Sequence, residues 1–117
     1  MSDYHEPERL LDEKTKDITR ILQSLKEEIE AVNWYNQRAA ATDDEEVEAI
    51  VLHNRDEEIE HAAMAIEWLR REIPAFNEEL ETYLFTELPI TEVEEAAESE
   101  GDSEESSSGD LGLGDMK

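Results

Sequence analysis

The sequence predicts an all-α protein, an antiparallel two-helix hairpin followed by a short C-terminal helix. Three observations carry this. From Pro7 to Ala41 the chain has no glycine or proline and is dominated by strong helix formers. Apolar residues recur there, and again after Glu45, at alternating steps of three and four. Between the two stretches lies TDDEE, where Thr42 with Glu45 three residues on has the form of a capping box.

Pro7 suits a first helical turn, where its missing N–H costs nothing. The first helix is therefore expected from Pro7 to Ala41 and the second from the capping box to about Glu72, before Pro74. At ~1.5 Å per residue they span roughly 50 Å and 42 Å. So short a connection makes them antiparallel neighbours. A third helix is expected over about Ala75–Thr86, with Phe76, Leu80, Tyr83 and Leu84 on one face, ended by Pro89. Thr91 with Glu94 then suggests one or two further turns. Beyond them ESEGDSEESSSGD has the composition of a disordered tether, and the chain closes on LGLGDMK. The expected organisation is a helical domain over 1–95, an acidic Ser/Gly linker over 96–110 and a terminal peptide over 111–117.

Composition narrows the function. The 117 residues carry a formal net charge of −24, which argues against nucleic acid and anionic membranes as partners and favours cations. With no cysteine, disulfides and thiolate metal sites are excluded. No apolar run approaches the ~20 residues of a membrane span. MSDYHEPERLLDEK lacks the regions of a signal peptide, so a cytoplasmic protein is expected. A folding portion of roughly 90 residues buries only a marginal core, a deficit that oligomerisation or bound metal often makes good.

The packing stripes contain residues that do not suit a core. On the first helix the seam reads Leu11, Lys14, Ile18, Ile21, Leu25, Glu28, Val32, Tyr35 and Ala39. On the second it reads Val47, Val51, Asn54, Glu58, His61, Ala65 and Trp68. Glu58 and His61 therefore point inward, in the run DEEIEH. An unpaired carboxylate there costs several kcal/mol even after relaxation. Arg55, three residues before Glu58, offers a salt bridge as the plain alternative, but one arginine cannot neutralise both Glu28 and Glu58. A metal ion can.

Glu-x-x-His puts a carboxylate and an imidazole side by side on a helix. Ferritin-like di-iron bundles use one Glu from each of two helices and Glu-x-x-His from each of two others. This chain carries half of that set. A two-fold axis relating two hairpins would complete a four-helix ferritin-like bundle and duplicate every ligand. Two Glu28 and two Glu58 carboxylates would then balance two divalent ions, so metal binding should drive assembly.

The runs KEEIEAVNWYNQR, HNRDEEIEHAAMAIEWLRR and ETYLFTELPIT resemble the encapsulated ferritin family over roughly Pro7–Glu95. The resemblance implies a ferroxidase with two iron ions per dimer interface, ligated by Glu28, Glu58 and His61. It implies that Tyr35 stands beside the di-iron centre, and that Glu27, Glu30 and Trp34 form a metal-attracting position on the entry route. It also implies an open ring of five dimers, carried as cargo inside an encapsulin nanocompartment that stores the iron. LGLGDMK resembles the loading peptide, with Leu111, Leu113 and Met116 as anchors to the shell protein. Asp115, Met116 and Lys117 stand where serine, leucine and a basic residue are usual.

The residues themselves leave plainer readings open. Tyr35 suits a core aromatic, Trp34 and Trp68 suit packing, and Met64 an interface. Glu27 and Glu30 suit solvated acids, and His53, beside Glu57 and Glu60, an exposed histidine. The rival functions are a non-catalytic helical assembly held by zinc or calcium, and an acidic cargo adaptor acting through its terminal peptide. Manganese is an alternative to iron on ligand chemistry alone.

Overall fold

The computed structural model describes residues 4–104, and these are helical with no strand. Four α-helices follow a short 3-10 turn: α1 (Glu13–Ala41), α2 (Glu45–Glu72), α3 (Pro74–Tyr83) and α4 (Ile90–Glu104). The chain divides into two compact units, Met1–Leu69 and Arg70–Lys117.

In the first unit the start of α1 differs from expectation. Pro7 opens a 3-10 turn over Glu8–Leu10, and Leu11 is extended. The Asp12 carboxylate then accepts the Thr15 amide at 2.8 Å and caps α1. A charged oxygen on an otherwise orphaned N–H at the positive helix end outcompetes helix continuation from Pro7. The turn between α1 and α2 is a second correction. Thr42 closes α1, its N–H donating to the Arg38 carbonyl, and its hydroxyl accepts the Asp44 amide at 3.1 Å. Asp44, not Thr42, caps α2, accepting the amides of Glu46 at 2.9 Å and Val47 at 3.0 Å. Acidic Glu45, Glu46 and Glu48 add favourable charge to that first turn.

Three levels of contact make α1 and α2 an antiparallel hairpin. Lys14 Nζ lies 5.9 Å from the Trp68 ring centroid, a cation–π contact that accounts for a lysine on the seam. Glu28 meets Glu58 and His61 midway. Arg55 Nη1 donates to Asn36 Oδ1 at 3.0 Å near the turn. Ala39, Ala65 and Leu69 are buried, and Ile18, Ile21, Leu25, Val32 and Val51 are half-buried along the seams. A second set of apolar residues faces outward: Leu22, Ile29, Ile50, Ile59 and Met64 are all exposed.

In the second unit Pro74 occupies the first turn of α3, as its missing N–H allows. Arg70 Nη1 donates to Asn77 Oδ1 at 2.6 Å across the α2–α3 corner. α3 ends at Tyr83, short of the expected Thr86. The Thr86 hydroxyl donates to the Tyr83 carbonyl at 2.9 Å, and Phe85 takes a left-handed backbone with φ 61°. α3 packs against α4, which buries Val93. The Pro89 carbonyl accepts the amides of Glu92 and Val93 at 2.8 and 3.1 Å, so the helix begins one residue before Thr91 and not at a Thr91–Glu94 box. α4 also runs to Glu104, past the one or two turns expected and into the stretch 96–110 that composition marks as a linker. Leu111, Leu113 and Met116 lie outside the described residues. No helix among those described is long and apolar enough to cross a membrane.

Candidate metal centre

The site lies halfway along the hairpin, where both seams turn polar. Glu28 projects from α1; Glu58 and His61 project from α2, one turn apart. One ligand atom from each lies within 4.8 Å of the other two, and among the described residues this is the one group of three His, Asp or Glu side chains so arranged. His61 Nδ1 stands 3.7 Å from Glu58 Oε1, close but beyond hydrogen-bond length.

Burial grades across the group. Glu28 Oε1 is buried without a hydrogen-bond partner among the described residues. The Glu58 side chain is 27% exposed and that of His61 45% exposed. The inward direction expected for His61 is thus only half realised, because a lone hairpin covers one side of the imidazole. A buried acceptor left unpaired costs about 1–3 kcal/mol, more if charged. The group therefore resembles a binding site more than a folding device.

Arg55 is not the salt bridge to Glu58 that sequence proximity allows. Its Nε and Nη2 donate to Asp56 Oδ1 at 3.1 and 2.9 Å, and its Nη1 to Asn36. Spacing alone selects neither partner over Glu58. Asn36 is legible only once the register of α1 against α2 is known.

The remaining candidates surround the trio without joining it. Tyr35 is half-buried with the Arg38 guanidinium 5.3 Å from its ring centroid. At ~1.5 Å per residue it lies roughly 10 Å along α1 from Glu28. Glu27, Glu30 and Trp34 are exposed on α1, and Glu27 Oε2 accepts from Gln23 Nε2 at 3.2 Å. His53 Nε2 lies 3.2 Å from Glu57 Oε2 on the outer face of α2, both exposed.

The donor set is chemically coherent. Carboxylate oxygens and one imidazole suit iron, manganese or zinc, and exclude the soft metals that need thiolates. With bonds of about 2.1 Å, ligands on one cation stand at most about 4.2 Å apart, so a 4.8 Å spread needs only a small closure or sharing between two cations.

Comparison with known proteins places the chain in a family. Over 110 residues the chain is 59% identical to a "Ferritin-like protein" of Thermotoga maritima, covering 94% of each. It is 53% identical, again over 110 residues, to an "Encapsulated ferritin-like protein" of Rhodospirillum rubrum, covering 94% of this chain and 76% of that one. A crystal structure of protein ne0167 from Nitrosomonas europaea is similar with a TM-score of 0.73 at 55% identity, covering 76% of this chain and 98% of that one. The EncFtn-like family profile matches residues 3–87, and the chain belongs to the EncFtn-like family.

Proposed function

We propose that the chain is a ferroxidase whose site is completed by a second copy, and that it works in an encapsulin compartment. The observation that carries this is the Glu28 carboxylate, buried without a partner within reach of Glu58 and His61. Apposing two hairpins about a two-fold axis brings two such groups together and offers a cover for one side of the exposed apolar set, in which Ile50 and Ile59 project from opposite sides of α2. Fully burying a side chain of this kind contributes about 1.5–3 kcal/mol, and roughly half of that remains for side chains already half-covered.

Fe(II) is the substrate. Glu58 and His61 of one copy would hold one ion, and Glu28 of each copy would supply a further carboxylate to the pair. Four carboxylates then balance two divalent charges, leaving the imidazoles neutral as ligation requires. Oxidation would take one electron from each of two Fe(II) ions and, with two protons, reduce one dioxygen to hydrogen peroxide, and carboxylate oxygens suit the resulting Fe(III). Glu27, Glu30 and Trp34 form the entry position, where exposed acids concentrate cations ahead of the site. Tyr35, about 10 Å along α1 from Glu28, is the aromatic hydroxyl flanking the pair on the side of the α1–α2 turn.

The charge of −24 supports a role in handling cations. The name of the Rhodospirillum rubrum relative supports encapsulation. Residues 111–117, with Leu111, Leu113 and Met116 as anchors, are the proposed shell-binding peptide, joined to the helical part through the acidic stretch 96–110, whose first part is the end of α4. Dimers assemble further into a ring of five, and storage of the product falls to the shell.

Oxygen uptake after adding Fe(II) to the full chain under air tests the activity. Uptake that is lost in Glu28→Ala and His61→Ala is the expected result. Metal-linked assembly without uptake would leave a non-catalytic module.

A further inference from the structure

Arg55 is the one lysine or arginine on α2 between Glu45 and Leu69, and it sits three residues before a proposed ligand. At that spacing Cβ atoms lie about 5–6 Å apart, well inside the reach of an arginine. An Arg55–Glu58 pair would also join two mostly covered side chains, 29% and 27% exposed, and be screened less than a pair with Asp56, which is 65% exposed. Yet all three guanidinium nitrogens are engaged elsewhere, on Asp56 from the same helix and on Asn36 from α1.

We propose that Asp56 and Asn36 are positioning residues that hold Arg55 away from Glu58, so that the carboxylate stays available to a cation. The inference rests on the metal-binding reading of Glu28, Glu58 and His61. Each restraint has its own part. Asp56 binds the Nε edge of the guanidinium and turns it away from the ligand's side of α2. Asn36 fixes Nη1 against the neighbouring helix, which blocks the rotation back. With both removed, the arginine becomes an internal competitor for the same carboxylate that a metal needs.

A purely mechanical role makes the opposite prediction. If Arg55 were only a strut between α1 and α2, removing it would loosen the site, and removing its partners as well would not help. Co(II) titration of the full chain, followed by the cobalt absorption bands, separates the two. Exposed ion pairs and single hydrogen bonds of this kind change affinities by roughly threefold to tenfold, so N36A/D56A should bind Co(II) weaker by that factor. Adding Arg55→Gln to that variant should restore wild-type affinity, and Arg55→Gln alone should bind at least as tightly as wild type. A triple variant that stays weak, or an Arg55→Gln that binds worse, would overturn the proposal. So would an N36A/D56A variant with unchanged affinity. Helicity measured on each variant keeps misfolding apart from competition, and D56A serves alone if the double variant unfolds. A wild-type chain that binds no Co(II) sinks the site itself, a different failure from a wild type that binds and variants that do not differ.

Discussion

Replacing Glu28 with leucine should stabilise the metal-free protein and abolish its response to metal. The wild-type carboxylate buries Oε1 without a partner, a defect worth about 1–3 kcal/mol. The lower end applies because the residue as a whole is only half-buried. Leucine has similar bulk and no acceptor to leave unpaired. For a folding unit of 60–100 residues, about 1 kcal/mol corresponds to a rise in Tm of about 4–8 °C. Metal works the other way. A ligand at one hundred times its Kd stabilises the folded state by about 2.7 kcal/mol, so Fe(II) should lift the wild type past the variant. The assay is thermal unfolding by circular dichroism at fixed protein concentration, anaerobically, with chelator or with Fe(II). The expected result is an inversion, with E28L more stable in chelator and wild type more stable in Fe(II). An E28L protein that is less stable in chelator, or that keeps a metal-dependent shift, would refute the reasoning, because Glu28 would then be a folding residue.

Three further predictions concern the ends of the helices. Burial, followed by the nearby Glu94, Glu79 and Glu98 carboxylates, raises Tyr83 above 10.0; its contribution to stability is therefore complete below pH 10.0 and lost as pH rises through the folded value. Absorbance titration at alkaline pH should lower that value in E94Q/E98Q, and an unchanged curve would remove Tyr83 from their neighbourhood. The Asp12 pKa lies below 3.8 because of its hydrogen bonds to Thr15, so the cap acts fully above 3.8 and fails as pH falls through the folded value. Amide exchange in the first turn of α1 should accelerate there, and should already be fast at neutral pH in Asp12→Ala. Phe85 is 99% exposed at φ 61°, a conformation that costs a non-glycine residue about 1–2 kcal/mol. Phe85→Gly should therefore raise the denaturation midpoint; a drop would mean that the ring is covered in the assembly.

The features readable from sequence were those set by one-dimensional spacing. The breaker-free run into Ala41 makes α1 legible, and the i, i+3 relation of Glu58 and His61 fixes their common face. Glu28 is legible as the carboxylate set into the apolar seam of α1. What escaped was decided by competition between near-equal local options. Asp12 and Asp44 took the caps because a carboxylate accepts backbone amides better than the alternatives beside it. α3 stopped at Tyr83 because the Thr86 hydroxyl reaches back to its carbonyl. Arg55 had two acids in range, Asp56 and Glu58, and the deciding partner, Asn36, sits nineteen positions away on the other helix. α4 outran its composition, since Ser- and Gly-bearing sequence argues against the helix that extends to Glu104.

Anomalous scattering at the iron edge, from crystals of the full chain grown anaerobically with Fe(II), probes the assembly and the site together. Two peaks per pair of hairpins are expected, each beside Glu58 and His61 of one copy and both within reach of Glu28 from each. A well-ordered assembly with no peak there, or with those three side chains facing solvent, would contradict the account.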